Sequence, residues 1–283
     1  MADQKASIIR TGAVVPDQPG VPPSNLVDDI RRARVLQTRR ARLLFVGTWF
    51  AIIGALALAL SGRFDSGFVV EWLPFILGGI GITIVVSIAS IIFATLFALI
   101  GALGRLSKRA PIYAAATLYV SLVRGTPLIV QVLFVYLALP QIIPAVAKIP
   151  AIYLGIFALS FNYGAYMTEI FRAGIQAVSR GQTEAAQALG MSDSLLMRRI
   201  VLPQATRIVI PAIGNEFIAL IKDSALVSVI SVQELLWRAQ RAGSQDFKSF
   251  EAFTIAALVY WAMTIIFSLF QDRLEKRMAR GDR

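Results

Sequence analysis

The chain has 283 residues, of which 57% are hydrophobic, and its formal net charge is +11. It contains no cysteine and no histidine. A disulfide framework is therefore excluded, and zinc chemistry and hydrolytic triads lack their commonest ligand and general base. The composition predicts an all-α integral membrane protein without catalytic residues and without a metal site.

The first 42 residues form a polar and basic tail. Four prolines and the lack of an apolar period predict a disordered segment up to residue 25. Residues 25–42 are rich in arginine, which is typical of a helix on an anionic membrane surface or of a simple positive-inside flank. We predict an additional transmembrane helix over residues 43–61, because a leader of 42 residues is too long for a signal peptide.

Five further apolar segments follow, each long enough for a span of roughly 20 residues. The first of them ends at a basic loop, and the second is interrupted by a Gly-Thr-Pro turn. The last is followed by a basic tail over residues 273–283. The segments cover residues 73–103, 113–139, 151–175, 205–232 and 253–270. Together with residues 43–61 they predict six transmembrane helices, with both termini on one side.

The Lys and Arg residues are distributed unequally between the two predicted sides. We count 22 of them beside the termini, in residues 105–124 and in residues 172–207, but only five in the opposite loops. Basic residues concentrate in cytoplasmic loops. Both termini and the loop around residue 190 are therefore predicted to be cytoplasmic, and the net charge needs no nucleic acid to explain it.

The loop between the fourth and fifth spans is a polar segment, rich in small residues, that runs from Glu184 to Pro203. Gly190 is a poor helix former and Pro203 cannot continue a helix. We predict two short helices that break near Gly190 and end before Pro203. Such a turn fits a groove on another protein, although a plain cytoplasmic hairpin between two spans is the alternative.

The spacing of this segment resembles the coupling motif in the membrane subunits of type I ABC importers. The residues that match are Glu184, Ala185, Ala186, Gly190, Ile200, Leu202 and Pro203. Three further stretches resemble the polar amino acid branch of these importers, and the likeness extends over residues 72–272. They are Arg124 to Leu128 with Gln131 and Tyr136, Glu169 to Arg172 with Gly181 and Gln182, and Asn215 to Leu226, where Ser224-Ala225 replaces the commoner Thr-Ser.

The resemblance implies a five-span ABC importer permease core with cytoplasmic coupling helices, preceded by the extra N-terminal span. It implies amino acid uptake across the bacterial inner membrane, driven by ATP hydrolysis on a separate ATPase subunit. A substrate-binding protein outside the membrane and a second permease copy or paralogue are the other implied partners. No segment matches the phosphate-binding Gly-Lys-Ser/Thr loop. ATP and Mg²⁺ are therefore expected on the ATPase, with no cofactor in this chain and no enzyme activity of its own.

Polar side chains recur inside the predicted spans, where an ionised group costs about 2.5 to 3.5 kcal/mol at the bilayer centre. Such groups normally face a partner or a water-filled path. Several are seven residues apart and so share a helix face. The predicted substrate path comprises Lys222, Asp223, Ser224, Glu216, Asn215, Gln131, Asn162, Arg124, Thr126 and Glu169. For Arg124 and Glu169, a position near the cytoplasmic membrane edge is an equal alternative.

A different class of function uses the same charges. In an ion-coupled carrier or channel, the intramembrane residues Lys222, Asp223 and Glu216 would relay an ion or a proton. A stoichiometric soluble ATPase partner distinguishes the importer from this alternative.

Overall fold

The computed structural model describes Thr48 and residues 64–279. The chain divides into two units, residues 1–64 and residues 65–283, and every helix described below belongs to the second unit. The predicted tail over residues 1–42 and, apart from Thr48, the predicted span over residues 43–61 lie outside the described residues.

Residues 65–279 are helical along most of their length. Two π turns (Phe134–Ala138 and Met197–Val201) and two 3₁₀ segments (Pro144–Lys148 and Ser224–Ile230) connect some of the helices. The helices are α1 (Ser66–Leu77), α2 (Ile80–Arg105), α3 (Ala110–Arg124), α4 (Leu128–Leu133), α5 (Leu139–Ile142), α6 (Ala151–Gln176), α7 (Arg180–Ala188), α8 (Asp193–Leu196), α9 (Leu202–Asp223), α10 (Leu235–Asp246) and α11 (Ser249–Ala279).

Two helical stretches in the described part are long and apolar enough to cross a membrane, namely Ser66–Arg105 and Ser249–Met278. A third qualifies if the pair formed by Ala110–Arg124 and Leu128–Ile142 is one broken span. The two members of that pair are bent by 105°. The interruption predicted within residues 113–139 is therefore present, and it is a sharp bend between two helices.

Other helix boundaries also differ from the predicted ones. The helical unit begins well before residue 73, and α11 continues to Ala279, so most of the predicted tail over residues 273–283 is helical. The predicted fifth span over residues 205–232 is shorter as an α-helix, because α9 ends at Asp223 and a 3₁₀ segment follows it.

Helices α2 and α6 form the centre of the fold, where small residues let the backbones approach closely. A Cβ atom added to Gly164 would lie 2.6 Å from the Cβ of Phe97. Ala94 and Ala98 of α2 are fully buried in the same cluster as Met167 of α6. Larger side chains at these positions would force the two helices apart.

The buried carboxylate of Glu234 joins three helices, namely α2, α10 and α11. Glu234 is 0% exposed and caps α10 by accepting a hydrogen bond from the N–H of Trp237 (2.8 Å). It also accepts hydrogen bonds from the hydroxyls of Thr83 in α2 (3.3 Å) and Tyr260 in α11. Because Tyr260 and the Trp237 N–H find their acceptor in this one carboxylate, the position of α10 depends on it.

The start of α1 is tied to the turn between α10 and α11. Asp65 accepts hydrogen bonds from the N–H groups of Phe68 (3.2 Å) and Gly67 (2.9 Å), and it pairs with Lys248 (3.3 Å). These contacts, the Phe68 hydrogen bond foremost, hold the pKa of Asp65 below its ordinary value. The N–H of Asp65 donates to the buried Glu251 (3.2 Å).

The Glu234 cluster makes a prediction about stability. Glu234→Ala leaves the Tyr260 hydroxyl and the Trp237 N–H without their acceptor, and each buried unpaired group costs about 1 to 3 kcal/mol. We expect a clearly lower midpoint of thermal unfolding in detergent. Glu71→Ala, at an exposed position on α1, is the control and should leave the midpoint unchanged. Equal midpoints for the two variants would contradict the role given to Glu234.

Candidate functional site

A polar pocket of about 520 Å³ lies where α3 and α4, α6 and the end of α9 meet. Four residues of the predicted substrate path line it, together with the rest of the Arg124 to Leu128 stretch and two tyrosines that the sequence did not single out. The lining comprises Arg124, Gly125, Thr126, Pro127, Leu128, Asn162, Tyr163, Tyr166 and Asp223. The pocket thus brings one guanidinium and one carboxylate to the same space.

The wall of this pocket is the break between α3 and α4. Pro127 has no N–H and disfavours helical backbone at Thr126, so α3 ends at Arg124 and α4 starts after the proline. The Thr126 hydroxyl donates to the carbonyl of Leu122 (3.0 Å). The residues of the break, Gly125, Thr126 and Pro127, therefore line the pocket.

Gln131 provides hydrogen-bond donors for the carbonyl groups that this break in the helix leaves without partners. Its side-chain amide N–H₂ donates to the carbonyl oxygens of Val123 (2.8 Å) and Thr126 (3.1 Å) and to the Thr126 hydroxyl (2.8 Å). Its amide oxygen accepts from Asn162 of α6 (3.1 Å). Gln131 thus supports the pocket from behind, and the expectation that it shares a helix face with Arg124 is wrong because the bend lies between them.

Opposite charges enter the pocket from different helices. Asp223, the last residue of α9, accepts a hydrogen bond from the Tyr163 hydroxyl of α6 (2.8 Å). The guanidinium of Arg124 lies over the ring of Tyr166, 5.1 Å from its centroid, in a cation–π contact. Sequence reasoning missed both tyrosines. Their one signal was their spacing from Asn162, which places all three on neighbouring turns of one helix.

Arg124 does not lie near the loop that follows α2. The 15 residues of α3 separate it from that loop, which is a distance of about 22 Å at 1.5 Å per residue. Arg124 therefore lies at the opposite end of α3 from the basic loop with which the sequence grouped it. Without it, the cytoplasmic count of Lys and Arg falls from 22 to 21, which leaves the charge bias intact.

The remaining predicted residues of α9 lie outside the pocket lining. Ser224 is fully buried and its hydroxyl donates to the carbonyl of Ile221 (2.7 Å), so it stabilises the helix end. Asn215 and Lys222 are exposed, and Glu216 is half-buried. These three side chains belong to the surface of α9 rather than to the pocket.

Glu169 is part of an ion-pair cluster and not of the pocket. Its carboxylate pairs with Arg105 at the end of α2 (3.3 Å) and with Arg172 on its own helix (2.7 Å). Arg105 also donates to the Thr117 hydroxyl of α3 (2.9 Å). The cluster joins α2, α3 and α6 at the end where α6 leads into α7, so Glu169 lies outside the pocket lining and pairs between helices.

The segment from α7 to the start of α9, which we call the coupling segment, has a small core of its own. Val178, Ala186, Leu196 and Val201 are buried together there. Gly190 has φ +75° and makes the turn between α7 and α8, as its break was predicted. The left-handed φ, rather than a lack of space, favours glycine at this position. A Cβ atom added to Gly190 would meet no neighbouring atom within 4 Å.

The coupling segment presents only part of its motif to solvent. Glu184 and Ala185 are exposed, as are Leu202 and Pro203, whereas Ile200 is half-buried. Ala186 is 4% exposed and packs inward. This residue of the motif therefore does not face a partner, because α7 needs an inward face to pack on α8.

The predicted helix end before Pro203 is also wrong. The chain continues from α8 through the π turn Met197–Val201 into α9, with Pro203 at the second position of α9. A proline ring clashes with the preceding helical turn, and a wider π turn directly before it relieves that clash. The coupling segment therefore passes into α9 without a break in the helical backbone.

A second pocket, of about 540 Å³, lies between α2, α9 and α11 and is lined almost wholly by apolar side chains. Its glutamine, Gln271, donates to the carbonyl of Pro211 (2.7 Å) and so is engaged with the backbone of α9. A polar solute finds no binding group there, which leaves the pocket with Arg124 and Asp223 as the candidate site.

The chain is similar to known transport proteins over most of its length. It is 38% identical over 216 residues to the probable amino-acid permease protein YxeN of Bacillus subtilis, which covers 76% of this chain and 96% of YxeN. It is 40% identical over 208 residues to the L-cystine transport system permease protein TcyB of the same organism, covering 73% and 88% of the two chains.

A solved structure shares the fold. The crystal structure of an amino acid ABC transporter with histidines superimposes with a TM-score of 0.72 and 39% identity, covering 76% of this chain and 99% of the other. Residues 94–280 match the family described as the binding-protein-dependent transport system inner membrane component. These residues include α6, the coupling segment and α9. The chain therefore belongs to the family of inner membrane components of binding-protein-dependent transport systems.

Proposed function

We propose that the chain is the permease subunit of an ATP-driven importer that carries amino acids across the inner membrane. One observation carries the proposal: α9 connects the coupling segment to the polar pocket. Its 22 residues begin at Leu202 and end at Asp223, a distance of about 33 Å. A displacement of the coupling segment would thereby reach the pocket through one continuous helix.

The chemistry of the pocket supports an amino acid as the solute. A free amino acid carries an ammonium and a carboxylate, and burial of either without a partner is costly. Arg124 and Asp223 provide one charge of each sign in one pocket, with Tyr163, Asn162 and Thr126 as neutral hydrogen-bonding groups. The relatives that are described as amino-acid and L-cystine permeases agree with this assignment.

Membership of the family supports an ATPase subunit and a substrate-binding protein as partners. The exposed Glu184, Ala185, Leu202 and Pro203 form the proposed contact with the ATPase, which would hold ATP and Mg²⁺. A second permease copy or paralogue is the remaining partner. Lys222 and Asn215 are exposed on α9, and charged or polar groups on a membrane helix avoid lipid. We infer that the second copy covers this face and completes the path.

We further propose a multi-pass topology with six spans and both termini in the cytoplasm. The five-span core would begin with Ser66–Arg105 and end with α11, and the extra span over residues 43–61 would precede it. The bias of 21 to 5 in Lys and Arg supports the orientation. The coupling segment and the Glu169 cluster then lie on the cytoplasmic side.

The ion-coupled carrier is not favoured. Of the three residues assigned to its relay, Asp223 lines the pocket and hydrogen-bonds Tyr163, whereas Lys222 and Glu216 lie outside the lining. A continuous relay needs neighbouring groups within hydrogen-bond reach. The uptake that we expect should therefore depend on ATP.

The topology is tested with reporter tags. Tags inserted at residues 64–70 and 240–248 are expected to report an extracytoplasmic location, because both stretches lie on the side with only five of the counted Lys and Arg residues. A tag at 190–195 is expected to report the cytoplasm. An extracytoplasmic signal from the tag at 190–195 would rule out contact with a cytoplasmic ATPase.

The pocket is tested by removing its charges while keeping the shape. Asp223→Asn and Arg124→Gln should each lower uptake roughly tenfold or more, because a hydrogen bond to a charged group contributes about 1.5 to 3 kcal/mol. Tyr163→Phe should have a smaller effect. Lys222→Ala should also impair uptake, and Glu216→Ala should be milder.

The measurement for these variants is uptake per correctly inserted protein, with ATPase activity recorded in parallel. Asp272→Asn, an exposed carboxylate near the end of α11, is the control and should transport normally. Normal uptake by both the Asp223 and Arg124 variants would show that the pocket does not handle the substrate.

The coupling segment is tested at two positions outside the membrane. Gly190→Val forces a β-branched residue into left-handed backbone, which costs about 1 to 2 kcal/mol and distorts the turn. Gly190→Asn, which tolerates that backbone, is the matched control. Glu184→Lys should weaken ATPase binding, whereas Lys108→Glu in the loop after α2 should not.

Uptake and co-purification of the ATPase subunit are measured for each variant. We expect loss of uptake with Gly190→Val and Glu184→Lys and near-normal uptake with both controls. If the two affected variants kept normal uptake and bound the ATPase, the coupling assignment would be abandoned.

A further inference from the structure

A third pocket, of about 490 Å³, lies between α2, α3 and α6 and shares no residue with the polar pocket. Its walls are the second half of α2, with Phe97 and Ile100, and the first half of α3, from Pro111 to Tyr119. The lining is almost wholly apolar. A polar solute finds few binding groups there, and the pocket is suited to a hydrocarbon chain.

Aromatic rings form the inner end of this pocket. The ring centroid of Phe161 in α6 lies 4.8 Å from that of Tyr119 and 5.7 Å from that of Phe97. The Tyr119 hydroxyl donates to the carbonyl of Phe161 (2.8 Å), so the polar atom of these rings is engaged. From Pro111 to Tyr119, α3 rises about 12 Å at 1.5 Å per residue. This depth is somewhat less than one leaflet, which is half of the roughly 30 Å hydrocarbon core.

The pocket is open at the side of the molecule. Ile100 is 69% exposed, Ile112 is 44% exposed, and Ala115 is exposed as well. Ile112, Ala115 and Tyr119 follow the spacing of one face of α3, whereas Arg124, which lines the polar pocket, falls on another face. The opening is therefore separate from the proposed substrate path.

The loop that joins α2 to α3 brings positive charge to one end of this pocket. Lys108 and Arg109 are exposed in the loop, and Pro111, the first lining residue of α3, follows directly after Ala110. Residues 103–117 contain three basic residues and no acidic one. The first turn of α3 also lacks an acidic residue, so the positive end of the helix dipole adds to the two side chains.

The third basic residue of this stretch, Arg105, is committed to the fold. It pairs with Glu169 (3.3 Å), and its guanidinium lies 5.5 Å from the ring centroid of Tyr113. Because Glu169 also pairs with Arg172 (2.7 Å), this carboxylate is already balanced by two guanidinium groups. Tyr113 is 46% exposed, and tyrosines are enriched at the level of the lipid headgroups. The two remaining cations of the loop thus lie beside a residue typical of the membrane surface.

We propose that this pocket, which we call the lipid pocket, binds one acyl chain of an anionic phospholipid whose phosphate is held by Lys108 and Arg109. Basic groups beside a pocket between transmembrane helices suit anionic headgroups. A zwitterionic lipid offers the same chains without the net negative charge, so the two cations make the site selective. The chain fills the space between α2 and α3. Its placement in the cytoplasmic leaflet rests on the proposed function, because it needs the topology given above.

The test measures lipid binding to the purified complex of permease and ATPase in detergent, by native mass spectrometry after delipidation. Phosphatidylglycerol and phosphatidylcholine with identical acyl chains are titrated separately, and the parental complex should prefer phosphatidylglycerol. Lys108→Gln combined with Arg109→Gln should weaken phosphatidylglycerol binding roughly tenfold or more and leave phosphatidylcholine binding unchanged. Lys276→Gln combined with Arg277→Gln, at exposed cations near the end of α11, is the matched control and should bind as the parental complex does.

The acyl chain is tested at a different position. Ala115→Trp fills the pocket from its exposed wall and should weaken the binding of both lipids roughly tenfold or more. Ala114→Trp, at an exposed neighbour outside the lining, should not. Phosphatidylglycerol should also raise the midpoint of thermal unfolding of the parental complex, because a ligand of the folded state stabilises it. That rise should be lost in Ala115→Trp.

Three results would overturn the lipid pocket. Equal affinity of the parental complex for the two lipids, or an equal loss in the Lys276 and Arg277 variant, would indicate general attraction to the membrane rather than a site. Unchanged binding by Ala115→Trp would leave a headgroup contact without a chain in the pocket. Loss of the second permease copy from Ala115→Trp complexes would identify the pocket as a contact between copies.

This proposal and the proposed function fail in different ways. An extracytoplasmic signal from the tag at 190–195 contradicts the proposed function and the leaflet assigned here, while phosphatidylglycerol binding in detergent stays measurable. Loss of the lipid preference with that tag in the cytoplasm overturns the lipid pocket alone.

Discussion

The requirement that every backbone polar group in a bilayer find a partner governs the candidate site. The break between α3 and α4 frees carbonyl groups at Val123 and Thr126, and one side chain, Gln131, donates to both. Asn162 then connects Gln131 to α6. The pocket is possible because this amide pair satisfies the broken backbone. A helix that continued through Pro127 would fill the space, and a break without Gln131 would leave buried acceptors unpaired, at about 1 to 3 kcal/mol each.

Two helices connect the pocket to the coupling segment. Helix α6 carries Tyr163 in the pocket wall and ends at Gln176, directly before the coupling segment, and α9 starts from the coupling segment and ends at Asp223. The Tyr163–Asp223 hydrogen bond joins them at the pocket. Because both helices are packed against α2, the proposed movement of the coupling segment would reach the pocket through helices rather than through loops. The connection through α9 depends on the π turn before Pro203, since this turn keeps α9 continuous with the segment that the ATPase is proposed to move.

The charged groups of the spans separate into three environments. Arg124 and Asp223 face the pocket. Glu169 is neutralised by Arg105 and Arg172 in a cluster that holds α2, α3 and α6 together. Lys222 is exposed on α9. The differences follow from packing: a carboxylate with two guanidinium groups around it is a structural element, whereas a carboxylate held by one tyrosine retains acceptor capacity for a solute.

The sequence by itself determined the family, the all-helical class, the orienting charge bias and the break at Gly190, because each depends on local composition or on fixed spacing. It also pointed to Arg124, Thr126, Asn162 and Asp223 as polar groups that a membrane protein must have a reason to keep. Only the tertiary structure decided which of the polar residues meet. A seven-residue spacing places two side chains on one helix face, but a bend of 105° between Arg124 and Gln131 cancels that relation. The pairing of Glu169 with Arg105 joins residues 64 positions apart in the chain, and no local pattern encodes such a contact. Tyr163 and Tyr166 were missed for the same reason, because a tyrosine inside an apolar helix is ordinary until the helix opposite presents a carboxylate.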